Sequence, residues 1–274
     1  MKFRYFCLIL AVSLLAFGCQ KSVKISQDKV QISPDKAENS EAEKQENTEV
    51  AEPENSNVNT NQAVNTNQAK PAPAEPEAPK FLNYPVLFAS QAPFANWDAL
   101  HEEACEEAAM IMAVKYFKKE PLSAHIMEQG ILNLVKWEEE NGYRVDLTAA
   151  EASTILEKYF DQKSELTYDV SAEKIKQELL KGNLILAPAA GRQLGNPNFK
   201  GQGPIYHMLV IRGYDETTGE FITNDPGTRK GEGYRYKYQI LLAAVHDWDH
   251  ELGQDGMTDE EMEQGRKALV IVNK

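Results

Sequence analysis

Cys105 is the only cysteine after Cys19. It sits in ALHEEACEEAAMIMAVKYF, residues 99–117. A thiol attacks carbon only as a thiolate, so its surroundings decide whether it is a reagent. The apolar spacing of Ala108, Ala109, Met112 and Phe117 predicts a helix from about Ala104 to Lys119. Cys105 then lies in the first turn, where free backbone N–H groups favour negative charge on sulfur. Glu102, Glu103, Glu106 and Glu107 act the other way, because neighbouring like charges disfavour ionisation. Residue type alone leaves two readings. A lone cysteine is commonly a small buried hydrophobe, or it is a nucleophile that another group must activate.

An activating imidazole is available in GPIYHMLVIRGYD. It places His207 at the start of an apolar strand. Alternation puts Tyr206, Met208 and Val210 on one face and His207, Leu209 and Ile211 on the other. A thiol nucleophile needs an imidazole as base and acid, and the imidazole needs a partner that fixes its tautomer. The next strand ends in FITNDPGT. Asp225 there, ahead of a Pro-Gly turn, could stand beside His207, with Asn224 facing the opposite way. His101 is a second candidate base, ranked lower because it falls at or outside the edge of the cysteine's helix. Upstream, Gln91 in SQAPFANW has a side-chain N–H suited to an oxyanion. The backbone N–H of Cys105 is the natural second donor, although a glutamine before a proline is more often a polar loop residue.

Taken together, QAPFANW, HEEACEEAAMIMAVKYF, YHMLVIRGYD and ITNDPGTRKGEGYRYKY resemble the C39-like domain of papain-like cysteine peptidases, from about Pro85 to Ala244. The resemblance implies a papain-like α+β fold, a cleft with cysteine and histidine on opposite walls, and a hydrolase of peptide or amide bonds. It assigns Gln91 to the oxyanion hole, Cys105 as nucleophile, His207 as base and Asp225 as its orienting partner. No metal or organic cofactor is implied. The chain departs from the family where Gly-Pro and small residues usually follow the nucleophile, since Glu106 and Glu107 stand there. Two carboxylates should raise the thiol pKa unless they face solvent, pair with cations or read a basic group on a substrate. A catalytically inactive domain that binds peptide or cell-wall material is therefore one rival reading. A peptide-bond transferase is the other.

The elements that must position these groups are helices first and strands second, which argues α+β rather than a doubly wound sheet. Further helices are expected from Ser123 to Glu140, from Thr148 through EKYF, and from Ser171 to Gly182, with Glu173 read as part of a capping box. Strands are expected in NLILAPA, YHMLVIRGY, GEFITNDP, YRYKY and KALVIVNK, with a short helix over Gln239 to His246. This domain spans 81–274. Residues 20–80 contain no aromatic residue and repeat VNTNQA in tandem. Such a segment buries too little apolar area to offset its backbone entropy and reads as a disordered tether. Residues 1–19, MKFRYFCLILAVSLLAFGC, read as an export signal. LLAFGC resembles a bacterial lipobox, with Cys19 as the expected lipid attachment point. The expected protein is a monomer anchored by lipid to the extracytoplasmic face of a bacterial membrane, acting on peptide or protein substrates. A net charge of -13 argues against nucleic acid as a partner.

Two remaining stretches carry weaker signals. HDWDHELGQDGMTDEEMEQ, with His246, Asp247, Asp249, His250 and Asp255, loosely suggests calcium but has Leu252 where an EF-hand turn needs glycine. It reads as a solvated acidic loop. GRQLGNPNFKGQGP lacks a Gly-Lys-Ser/Thr ending for phosphate and reads as a loop bordering the cleft. Trp97 and Trp248 fit either the core or a cleft wall.

Overall fold

A computed structural model describes residues 77–254 and 256–274. The expected signal segment, Cys19, Asp255 and all but the end of the tether lie outside them. The helices are α1 (Ala99–Glu102), α2 (Cys105–Lys118), α3 (Ala124–Glu140), α4 (Ala149–Lys158), α5 (Ala172–Leu180), α6 (Tyr238–Ala244) and α7 (Asp259–Met262). The strands are β1 (Phe81–Asn83), β2 (Ser164–Thr167), β3 (Leu184–Ala190), β4 (Tyr206–Asp215), β5 (Glu220–Asn224), β6 (Tyr234–Lys237) and β7 (Leu269–Val272). They form one antiparallel sheet in the order β2-β7-β3-β4-β5-β6, with β1 pairing the far half of β4. The fold is α+β, with helices concentrated toward the N-terminal side and an antiparallel sheet after them.

Local chemistry explains most element boundaries. Ser123 accepts the Ile126 N–H at the start of α3. Thr148 and Glu151 close a reciprocal capping box on α4, and Thr258 with Glu261 closes another on α7. The box expected at Ser171 does not form. Ser171 accepts the Lys174 N–H, but the third helical residue is Lys174, and Glu173 sits one place too early to reach back. The elements without a sequence expectation include α1, β2 and α7, each four residues long. Pieces that short carry no measurable period.

Two cores lie against the sheet, and β4 alternates between them. Met208 and Val210 join the cluster made by α2, α3 and α4. Leu209 and Ile211 join the cluster that includes Ile175 and Leu179 of α5 and Leu241 of α6. Every residue of α2 from Cys105 to Val114 is buried. This helix therefore lies between the sheet and α3 rather than presenting a wet face, so its first turn is held on all sides. A register shift in β4 between Ile211 and Gly213 frees Arg212, whose guanidinium donates to the Tyr84 and Val86 carbonyls. At Gly213 a side chain would collide with β1, since a Cβ would fall 2.2 Å from Leu82 O. The stretch after β1 is thereby tied to the sheet and led toward Gln91. Among the described residues no helix is long and apolar enough to cross a membrane.

Candidate active site

The strand wall of the site is built around His207, which is 1% exposed. Its Nε2 lies 2.8 Å from Asp225 Oδ1, just beyond the end of β5. The second carboxylate oxygen of Asp225 accepts from Tyr236 Oη at 2.5 Å and from Asn196 Nδ2 at 3.0 Å. The Gly227 N–H closes onto Oδ1 at 3.1 Å. Burial works against a charged Asp225, but His207, Tyr236 and Asn196 outweigh it and hold its pKa below the usual value. Phe199 stands edge-on against the imidazole, with ring centroids 5.3 Å apart. Gly191 and Gly227 leave the ring its space. A Cβ at Gly227 would fall 2.8 Å from His207 Cε1, and one at Gly191 would fall 3.1 Å from His207 Cβ. Nε2 is committed to Asp225, and Nδ1 makes no hydrogen bond to a described residue, so it is the nitrogen free for chemistry.

The helix wall is different. Cys105 opens α2 after Ala104, whose side chain offers no cap to the first-turn N–H groups. The thiol is 5% exposed and donates to Glu106 Oε2 at 3.0 Å, while the Met208 N–H donates to the sulfur at 3.3 Å. Its hydrogen bond goes to Glu106 and not to His207. Burial pushes the thiol pKa well up, and the charge and hydrogen bond of Glu106 and the charge of Glu107 add to that; only the Met208 N–H opposes them. Glu106 and Glu107 are 1% and 3% exposed and do not face solvent, and neither pairs with a cation among the described residues. The other oxygen of Glu106 accepts the Leu147 N–H at 3.0 Å. Burial, with Asp146 nearby, raises the Glu106 pKa to about 8. Glu107 turns toward Glu138 of α3. Burial and the neighbouring carboxyls raise Glu107 well above its ordinary value, and burial carries Glu138 to about 7. The Glu138 carboxylate disfavours ionisation of Glu107.

Both walls open onto one cavity of about 370 Å³, lined by Cys105, His207, Gln91, Trp97, Trp248 and Phe199, with Asp146 and Glu103 at one side. The loop between β3 and β4 supplies Phe199, Lys200, Gly203 and Pro204, so the glycine-rich stretch borders the cleft. Gln91 lines the cavity too, but its side-chain nitrogen donates to the His101 and Glu102 carbonyls, each at 3.0 Å. Those bonds account for both amide hydrogens and pin Gln91 to the end of α1; its Oε1 is buried without a partner. His101 is outside the cavity. It lies between Asp98 at 2.7 Å and Glu128 at 3.0 Å, where it ties α1 to α3.

The acidic stretch after α6 serves the fold. Asp247 Oδ1 accepts the Ala149 and Trp248 N–H groups, Asp249 accepts those of Glu251 and Leu252, and His250 bonds Glu151. Among the described residues no cluster of three or more His, Cys, Asp or Glu is arranged to hold a metal. Sequence reasoning missed Asn196, Tyr236 and the inward turn of Glu106. Tyr236 was accessible in principle, because alternation in YRYKY puts it inward beside Asp225. Nothing local marks Asn196, which arrives from a loop.

Comparison with known proteins identifies the family. Residues 82–254 match the model of the Peptidase_C39 like family. No curated protein matches the chain. Among solved structures, one assigned as a C39-like peptidase from Bacillus anthracis is 14% identical, with a TM-score of 0.45, covering 71% of this chain and 98% of its own. Xylellain, a cysteine protease from Xylella fastidiosa, is 12% identical with a TM-score of 0.34, covering 72% of this chain and 86% of its own. The family assignment rests on the first of these matches alone.

Proposed function

From a chain that belongs to the Peptidase_C39 like family, we propose a thiol-dependent hydrolase of peptide or amide bonds with a papain-like, two-walled cleft. The observation that carries this reading is the His207–Asp225 pair at 2.8 Å, facing the same cavity as Cys105. Cys105 passes its proton to His207 Nδ1 and attacks the carbonyl carbon. The tetrahedral oxyanion takes the Cys105 N–H at the uncapped helix start, with Gln91 Nε2 as second donor once it releases one of its two carbonyls. His207 then protonates the leaving amine, and the acyl group is on sulfur. Water, deprotonated by His207, attacks the acyl carbon, and the thiol returns with the acid released. Asp225 stays ionised throughout and holds the imidazole in the tautomer that keeps Nδ1 available.

The second reading, a peptide-binding domain without turnover, is favoured by the thiol's bond to Glu106. Incubating the purified chain with a mixed peptide library and following new termini by mass spectrometry separates the two. The hydrolase reading expects cleavage that Cys105→Ala and His207→Ala both abolish. Peptide binding without cleavage, unchanged in both variants, would establish the alternative. For the location we propose lipid attachment at Cys19, on the strength of LLAFGC. Radiolabelled palmitate incorporated by producing cells and lost in Cys19→Ser is the expected result; equal labelling of both would refute it.

A further inference from the structure

Glu106 is a buried acid without a cation, and the mechanism above gives it no role. Its two oxygens are both engaged, one by the Leu147 N–H from the segment before α4, the other by the Cys105 thiol. A side chain pinned at one end to a different segment and at the other to the sulfur is not a solvated neighbour of the nucleophile. We propose that Glu106 is a positioning residue that governs when Cys105 ionises, its carboxylate holding the thiol hydrogen and its protonation releasing the sulfur to His207. The inference rests on Cys105 being the nucleophile of the hydrolase reading.

The proton count is simple. With Glu106 ionised, Oε2 accepts the S–H hydrogen and its charge opposes a thiolate. When Glu106 takes up a proton from solvent, the acceptor is gone, and the new O–H can donate to sulfur. The thiol proton then passes to His207 Nδ1, giving thiolate and imidazolium with nothing oxidised or reduced. The groups around Glu106 reinforce this. On α2 it has Cys105 and Glu107, and Glu138 of α3 stands behind Glu107. From the segment before α4 comes Asp146, itself beside Glu103 and His250 and raised to about 6, chiefly by burial. From β4 comes Tyr206, whose hydroxyl donates to Leu147 O, with Asp247 also near that hydroxyl. No lysine or arginine pairs with Glu106 among the described residues. Burial, with the Asp146 carboxylate nearby, favours the protonated form and carries the Glu106 pKa to about 8.

Glu106→Gln tests the proposal directly. The amide keeps the shape and can still accept the Leu147 N–H, but it carries no charge. Alkylation of Cys105 in the full chain is followed from mildly acid to alkaline pH, alongside Glu107→Gln, which removes a buried carboxyl one residue further on. The proposal expects Glu106→Gln to lower the midpoint of thiol labelling by about one pH unit or more, roughly tenfold in rate at alkaline pH, where the wild-type carboxyl is ionised. Glu107→Gln should shift it by much less. Superimposable profiles for wild type and Glu106→Gln would overturn the proposal, as would equal shifts in the two variants. Should Glu106→Gln fail to fold, ultraviolet thiolate absorbance of the wild type decides. Two coupled steps support the linkage, and one simple step refutes it. Labelling needs no turnover, so an absence of peptide cleavage would sink the hydrolase reading and leave this result standing.

Discussion

The two walls of the cleft are finished to different degrees. On the strand wall both oxygens of Asp225 are hydrogen-bonded, and His207 Nε2 is committed to one of them. Asp225 is held ionised by His207, Tyr236 and Asn196, and the ring is braced by Phe199 and by two glycines that leave it room. On the helix wall the thiol is buried, bonded to an acid and surrounded by more acids. On the hydrolase reading, the base is prepared in advance, whereas the nucleophile is restrained. Burying a carboxylate is costly unless its bonds are complete, and Asp225 meets that condition. The asymmetry therefore reads as control over when the thiol ionises.

Breaking the strand wall should have the largest effects. Asp225→Asn removes the charge that holds the imidazole and is expected to lower peptide turnover by about 10²–10⁴-fold, the usual range for general acid–base assistance. A loss below about threefold would show that His207 does not need this partner. Gly227→Ala puts a methyl where His207 Cε1 now lies 2.8 Å away. Because that backbone is not in the left-handed region, the change acts through the ring, and turnover should fall by about 10-fold or more while folding is kept. Tyr236→Phe deletes one of the two side-chain donors to Asp225 Oδ2 and leaves Asn196. A loss of about 3–10-fold in kcat follows from one hydrogen bond to a charged group, with KM little changed.

Sharpening the helix wall is a matter of stability against pH. Glu106 and Glu138 have folded-state pKa values raised to about 8 and about 7, and Glu107 is raised as well. Between about pH 5 and 8 the unfolded chain has released these protons while the folded protein keeps them. Stability must then fall as pH rises through that window. The Tm should drop from pH 5 to pH 8, and Glu138→Gln should flatten the slope. A Tm that rises over the same range would contradict the buried-acid account of this wall.

Much of this was legible in the sequence because it rests on local rules. Alternation in YHMLVIRGYD foretold which residues of β4 face α2, and Thr148 marked the start of α4. The residue types brought to the cavity, Cys105, His207 and Gln91, were marked by their own motifs, as was Asp225 ahead of its Pro-Gly turn. What was not legible depends on segments meeting at a distance. The inward turn of Glu106 follows from Leu147 offering an N–H across from α2, and Glu107 is buried because α3 covers it with Glu138. Gln91 shows the same limit. Its position in a loop was evident, but the attachment of its amide to the end of α1 depends on a four-residue helix too short to leave a period.

The most direct test is the rate of Cys105 alkylation near neutral pH in the full chain, compared between wild type and His207→Ala. If the two walls work as one site, replacing His207 should slow labelling at least about tenfold, and the remaining reaction should appear only at alkaline pH, where an unassisted thiol ionises. Equal rates in the two proteins across the pH range would mean that His207 does not reach the sulfur, and the hydrolase reading would fall.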